Sequence, residues 1–314
     1  MKLLYPNFIN VISIPLAAIL LLNLSACDPY GDDEVRKYLV VESYLIAGES
    51  MPVVRLSRTA PIDQEYSFEK FAINEADVTI HLLEEDGEES QTSISYSLFG
   101  PGGSSANEFS PGVYLPTRQH TIQPGRKYRL QVEVPDFPDL QSATIIPDTF
   151  SIQSDDVPES IMYQSSQQLE LIIRTPRETD RQNVYIFNTE SLNPVEGELV
   201  PFYKSAFDDG QIELRDLTNN PSSLINEANF EKTADGDIKL RYPWIGVAFF
   251  GPNRISVNSV DRNISDFIRS QEVQLGGSTL SPGEIPNAVY NIEGGIGVFG
   301  SVATDTVSTR IEKP

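Results

Sequence analysis

Every second residue from Tyr128 to Val134 is apolar: Tyr128, Leu130, Val132 and Val134 alternate with Arg129, Gln131 and Glu133. A β-strand points successive side chains to opposite faces, so this pattern describes a ribbon with one packed face and one wet face. Similar segments recur upstream. Tyr38–Ile46 is rich in β-branched and aromatic residues and ends at Gly48; Val53–Arg58 and Val78–Leu82 alternate. Asp86-Gly87 stands between Val78–Leu82 and Ser93–Leu98, a hairpin signal, and Pro124-Gly125 turns the chain into Tyr128–Val134. Gln141–Ile146 completes the set. Short strands with turn residues at near-regular spacing predict an immunoglobulin- or fibronectin-like β-sandwich over residues 38–148.

Residues 149–314 predict a second β-rich domain with one short helix. Leu169–Arg174, Asn183–Phe187, Ile238–Tyr242, Ile255–Val260, Ala288–Ile292 and Val298–Ile311 read as strands. Thr218–Asp237, rich in Asn, Ser and acidic residues, reads as an excursion with little core. Asn263–Gln271 carries Ile264, Phe267 and Ile268 at spacings of three and four, the pattern of an amphipathic helix.

The chain has a single cysteine, Cys27, so no disulfide within the chain can staple the fold and the core must hold it. That cysteine closes the sequence Leu24-Ser25-Ala26-Cys27, which follows an apolar run, Val11–Leu22, too short to span a bilayer. This is the form of a lipobox. Leu24, Ser25 and Ala26 would be read by a signal peptidase and Cys27 would take the lipid, making residues 1–26 a lipoprotein signal peptide. Several acyl chains on one cysteine make a firm anchor. Residues 27–37 then read as an acidic flexible tether, in which Asp32, Asp33 and Glu34 loosely match a signal for display on the cell surface. The expected location is the outer membrane, lipid-anchored, facing outward or toward the periplasm.

Cleavage would leave 288 of 314 residues and, with the loss of Lys2, take the formal charge from −22 to −23. Phosphate backbones would repel such a chain, which argues against nucleic acid as a partner.

Motifs for chemistry fail on context. Gly295-Ile296-Gly297-Val298-Phe299-Gly300 has the glycine spacing of a dinucleotide site, but strand-like Ser301-Val302-Ala303-Thr304 follows where a helix is required. A structural glycine hairpin is the expectation there. His81 and His120 lack the spacing of a zinc site, and no nucleophile elbow is present. Asp155-Asp156, Asp208-Asp209 and Asp235-Gly236-Asp237 offer oxygens of the kind calcium prefers, but none follows EF-hand spacing. Glu84, Glu85, Asp86, Glu88 and Glu89 surround a turn and read as a solvated tip. Trp244, Phe249 and Phe250 read as core rather than a sugar platform. Tyr96, Phe99 and the loop 100–111 form the better surface candidate, with an ordinary loop favoured. The expectation is no catalytic residues, no metal and no cofactor.

Four features together carry a resemblance: the lipobox, the first strand Leu39-Val40-Val41, the segment Pro124-Gly125-Arg126-Lys127-Tyr128-Arg129-Leu130, and the ending Val289–Gly300. They resemble a family of outer-membrane lipoproteins known only as a domain of unknown function, numbered four-two-four-nine. The likeness spans nearly the full chain, departing at Glu42-Ser43, where the family more often has an Asn-Gly-like pair. Members are often encoded beside TonB-dependent outer-membrane transporters. The resemblance therefore implies a non-enzymatic accessory or ligand-capture subunit at such a receptor. The alternative is a stand-alone surface module that binds glycans or proteins as an adhesin does, and a hydrolase ranks behind both.

Overall fold

The computed structural model describes residues 37–84, 89–100, 110–174, 183–272 and 288–314. The signal segment, Cys27, Asp32, Asp33, Glu34 and the Asp86-Gly87 turn lie outside them. The unit described below is Tyr38–Ala60 with Glu65–Pro314.

The chain is mostly β and its sheets pack as sandwiches. The strands of the first half are β1 (Leu39–Ile46), β2 (Val54–Arg58), β3 (Asp77–Leu83), β4 (Glu89–Leu98), β5 (Val113–Pro116), β6 (Lys127–Glu133) and β7 (Leu140–Ile145). A one-turn helix, α1 (Phe68–Phe71), sits between β2 and β3, capped by the Ser67 hydroxyl, which accepts from the Lys70 amide. Next come β8 (Ser151–Ile152), β9 (Ser160–Met162), β10 (Glu170–Arg174) and β11 (Val184–Ser191), then the helices α2 (Pro201–Asp208) and α3 (Leu214–Thr218). The remainder is β12 (Asn219–Pro221), β13 (Ile225–Asn226), β14 (Glu231–Lys232), β15 (Ile238–Arg241), β16 (Gly251–Val260), α4 (Arg262–Glu272) and β17 (Ile296–Glu312).

One continuous sheet runs β12-β11-β16-β17-β1-β2-β5-β4-β3-β6-β7. A smaller sheet runs β14-β15-β10-β8. The alternation in β6 is realised as read: Tyr128, Leu130 and Val132 are fully buried while Lys127 and Glu133 face water. Their partners inside are Val78 and Ile80 of β3, Val41 and Leu45 of β1, and Ile94 of β4. Strands of one sheet share this interior because the sheet curls back on itself. Its free edge, β7, returns to the C-terminal strand.

That return is made by polar side chains rather than a ladder. Ser142 and Thr144 point inward from β7, where hydrophobic residues would be expected. The Ser142 hydroxyl donates to the Asn291 carbonyl at 2.7 Å, and Thr144 Oγ1 lies 2.7 Å from Ser301 Oγ and donates to Asp261 at 2.6 Å. Asn263 reaches the Ala143 carbonyl at 2.8 Å. Buried polar groups are tolerated when each finds a partner, and this seam supplies them.

In the second half the small sheet packs on the β11-β16-β17 portion of the large one. Leu171 and Ile173 of β10 and Ile238 and Leu240 of β15 face Tyr185, Phe187, Ile255, Val257 and Val307. The helix α4 covers the outer side of the large sheet. Ile264, Phe267 and Ile268, the residues that predicted it, pack against Val260, Val298 and Val302. Two helices absent from the periodicity reading, α2 and α3, follow β11. Pro201 starts the first with φ already set for a helix, and Glu213 with Asp216 forms a capping box on the second.

The glycine segment 295–300 is not a hairpin. It opens β17, which pairs in parallel with β1 from Val40↔Ile296 to Ile46↔Val302. Gly297 has φ of +119°, and a Cβ there would overlap the Val41 carbonyl. A Cβ at Gly300 would strike the Ile264 side chain of α4. The glycines permit close approach of a strand and a helix, not of a phosphate. Residues 288–292, expected as a strand, form none: the Val289 amide donates to Ser270 Oγ, Asn291 bonds Ser142 and Phe299, and an isolated bridge follows at Glu293.

Candidate functional site

Several aromatic residues of the second half pack against one another in its core. Phe187 on β11 and Tyr242 just after β15 meet edge to face, with ring centroids 6.2 Å apart and planes 82° apart. Both are buried. The Tyr242 hydroxyl lies 2.6 Å from Thr189 Oγ1, and burial pushes its pKa up to about 12. Tyr203 on α2 and the segment Asn220–Ile225 rise beside this floor. They enclose a cavity of about 270 Å³, completed by Leu240, Pro243, Ile245 and Gly246.

The rim is fixed by three hydrogen bonds. The Tyr203 hydroxyl donates to the Ile245 carbonyl at 2.6 Å. Asn220 Nδ2 donates to the Tyr203 oxygen at 3.0 Å and to the same carbonyl at 3.1 Å. A carbonyl only accepts, so the amide nitrogen, not the oxygen, must face it. Gly246 lies against the Tyr242 ring, where a Cβ would come within 2.7 Å. At the mouth of the cavity, the lining residue Ile245 and the neighbouring Phe202 are each 59% exposed.

Among the described residues no carboxylate, cation, cysteine or histidine lines this cavity. Two other hollows are charged. One, open to solvent, is lined by Glu75, Asp77, Glu133 and Asp139. The other lies beside Asp261, Lys127 and Arg262. Asp261 itself is committed: it caps α4 by accepting the Ile264 amide at 2.9 Å and accepts from Thr144. Burial, the largest effect, raises its pKa above the ordinary value despite those bonds. Among the described residues no group of three His, Cys, Asp or Glu side chains is placed to hold a metal ion.

The residues singled out in the sequence fall as follows. His120 Nε2 lies 3.0 Å from the Tyr128 hydroxyl, and burial, with the Arg118 charge, lowers its pKa. His81 sits on β3, paired across the sheet with Arg129 of β6. Tyr96, read as a surface aromatic, points into the first core and is 7% exposed. Residues 101–109 of its loop lie outside the described set. Phe249 and Phe250 are core, while Trp244 is half-buried and stacks edge-on against Tyr163 at 5.2 Å. Of the acidic pairs, Asp237 is used structurally, accepting from Gln153 at 2.9 Å. The cavity was not legible: its wall comes from Thr218–Asp237, which lacks hydrophobic periodicity because its residues line an opening instead of filling a core.

The chain matches the family described as Domain of unknown function (DUF4249) over residues 27–308. It belongs to that family. No curated protein matches this DUF4249 chain. Among solved structures it is similar to a two-immunoglobulin-domain structure titled "Crystal structure of DIP-gamma IG1+IG2" at 8% identity, covering 88% of this chain and 97% of that one, with a TM-score of 0.17. It is also similar to three N-terminal domains of the bacteriophage RB49 Highly Immunogenic Outer Capsid protein at 11% identity, covering 89% and 100%, with a TM-score of 0.19. Scores this low carry no argument about function. The DUF4249 body is therefore read from its own geometry, and it is the strands β11 and β15, with α2 and the excursion after it, that build its cavity.

Proposed function

We propose that this protein is a non-enzymatic outer-membrane lipoprotein that serves as an accessory or ligand-capture subunit of a TonB-dependent transporter. The observation that carries the reading is the cavity beneath Tyr203 and Asn220: preformed, aromatic, and, among the described residues, lined by no group that titrates near neutral pH. Such a lining suits retention without reaction. The sequence Leu24-Ser25-Ala26-Cys27 supplies the membrane anchor, and Asp32, Asp33 and Glu34 the loose surface-export pattern. A lipid anchor confines the body to the plane of a receptor, which raises effective concentration and lets a weak contact stay occupied.

The experiment is affinity capture of the native lipoprotein from detergent-solubilised membranes. A TonB-dependent transporter is expected to be enriched with it. Recovery of the lipoprotein alone would count against the transport role. The exposed Phe202 and Ile245 beside the cavity favour a second reading, a stand-alone adhesin-like module for glycans or proteins. A glycan array bound by the purified protein, with no transporter recovered, would select it.

A further inference from the structure

The cavity's size, charge and hydrogen-bonding state each restrict what it takes. An engineered apolar cavity of about 150 Å³ admits a benzene ring, and drug-sized ligands occupy roughly 300–1,000 Å³. A volume of about 270 Å³ holds one ring and a small substituent. Among the described residues the lining carries no charge, and an ion brought in would leave water without a partner, so the occupant is neutral.

The hydrogen bonds decide the substituent. Both Asn220 amide hydrogens are committed, to Tyr203 and to the Ile245 carbonyl. The Tyr203 hydroxyl donates to that same carbonyl, and Ser222 Oγ donates to the Ser223 carbonyl while accepting the Phe187 amide. The Tyr242 hydroxyl is paired with Thr189. The side-chain donors of the lining are thus spent within the protein. Acceptors remain, among them, in the described residues, Asn220 Oδ1. An occupant that brings no donor leaves that oxygen without a partner when water is expelled.

We propose that the cavity under Tyr203 and Asn220 binds a small uncharged ring bearing one hydrogen-bond donor, a hydroxyl or an N–H. This rests on the ligand-capture reading and gives it a chemical class.

Phenol, anisole and benzoate share a ring and differ in donor and charge. Trp244, the only tryptophan of the chain, lies between lining residues Pro243 and Ile245 and reports occupancy through its emission. Titrations use the full lipidated protein in detergent, with ligand-observed NMR as a second readout and the Ile225→Phe variant, which fills the cavity, in the same detergent as the control. Phenol is expected to bind about tenfold more tightly than anisole, the worth of one hydrogen bond, and benzoate not to bind. Ile225→Phe is expected to weaken phenol at least about tenfold with the thermal midpoint retained. Asn220→Leu is expected to erase the preference for phenol over anisole, which keeps the test sharp if Ile225→Phe fails to fold. A phenol response that is absent, unchanged by a folded Ile225→Phe variant, or matched by benzoate would overturn the assignment. The two readings fail separately. A transporter recovered with a protein deaf to phenol removes the ring ligand only, and phenol binding with no transporter recovered removes the transport role only.

Discussion

Asp261 is a carboxylate held almost out of water, 6% exposed, between β7, β17 and the first turn of α4. Desolvation raises its pKa above the ordinary value of 3.8. A folded-state pKa above the unfolded one means that the folded protein holds the proton more tightly. The stabilisation is complete below the unfolded value and is lost as pH rises through the folded one. Asn is neutral throughout and caps a helix as well as Asp. Asp261→Asn removes this titration but offers one acceptor oxygen to the Ile264 amide and the Thr144 hydroxyl, so what is expected is that its stability relative to the wild type improves as pH rises from about 4 to 7. Thermal melts of both proteins across that range check it, and a relative stability that grows toward acid would contradict it. His120 works in the opposite sense: its lowered pKa means stability that is full above the unfolded value near 6.5 and lost as pH falls through the folded one. Gly297 faces a steric restriction instead. With φ at +119° and the Val41 carbonyl in the way, Gly297→Ala is expected to cost more than about 1 kcal/mol, measurable by urea denaturation.

Elements whose burial is one-sided were readable in the sequence, and those whose surroundings are irregular were not. The strands β3, β6 and β7 and the helix α4 appear within a residue or two of where alternation or three-four spacing put them. Each has a single wet face, so its pattern survives in the sequence. β17 is different. Gly297, Phe299 and Ser301 face the first core while Val298 and Val302 meet α4, so both faces are covered and period two disappears. The glycines that mark its start exist for backbone approach, which a spacing rule cannot distinguish from a turn. The cavity wall is the extreme case. β12 and β13 are three and two residues long, held by β11 and by side chains such as Ser222 rather than by an apolar face of their own. For β17, Phe299→Ala is expected to cost about 3–5 kcal/mol, since the ring is fully buried between β1 and the polar seam.

At the level of the molecule, the two cores lie mainly on either side of residue 148, yet Ile292 and Phe299 belong to the first and Val307 and Ile311 to the second. One strand therefore serves both. This predicts a single cooperative unfolding transition. Trp244 reports the second half, so Phe299→Ala in the first half is expected to lower the midpoint seen by its fluorescence as much as the midpoint seen by circular dichroism. A fluorescence midpoint left unmoved would mean that the halves melt independently. The parallel pairing of β1 with β17 also sets a schedule. The earliest strand of the body cannot complete its hydrogen bonds until residues 296–302 have arrived, some 250 positions later. Long-range pairing is slow to form because the intervening loop must first be closed. In this topology the body locks only when residues 296–302 have come to lie along β1.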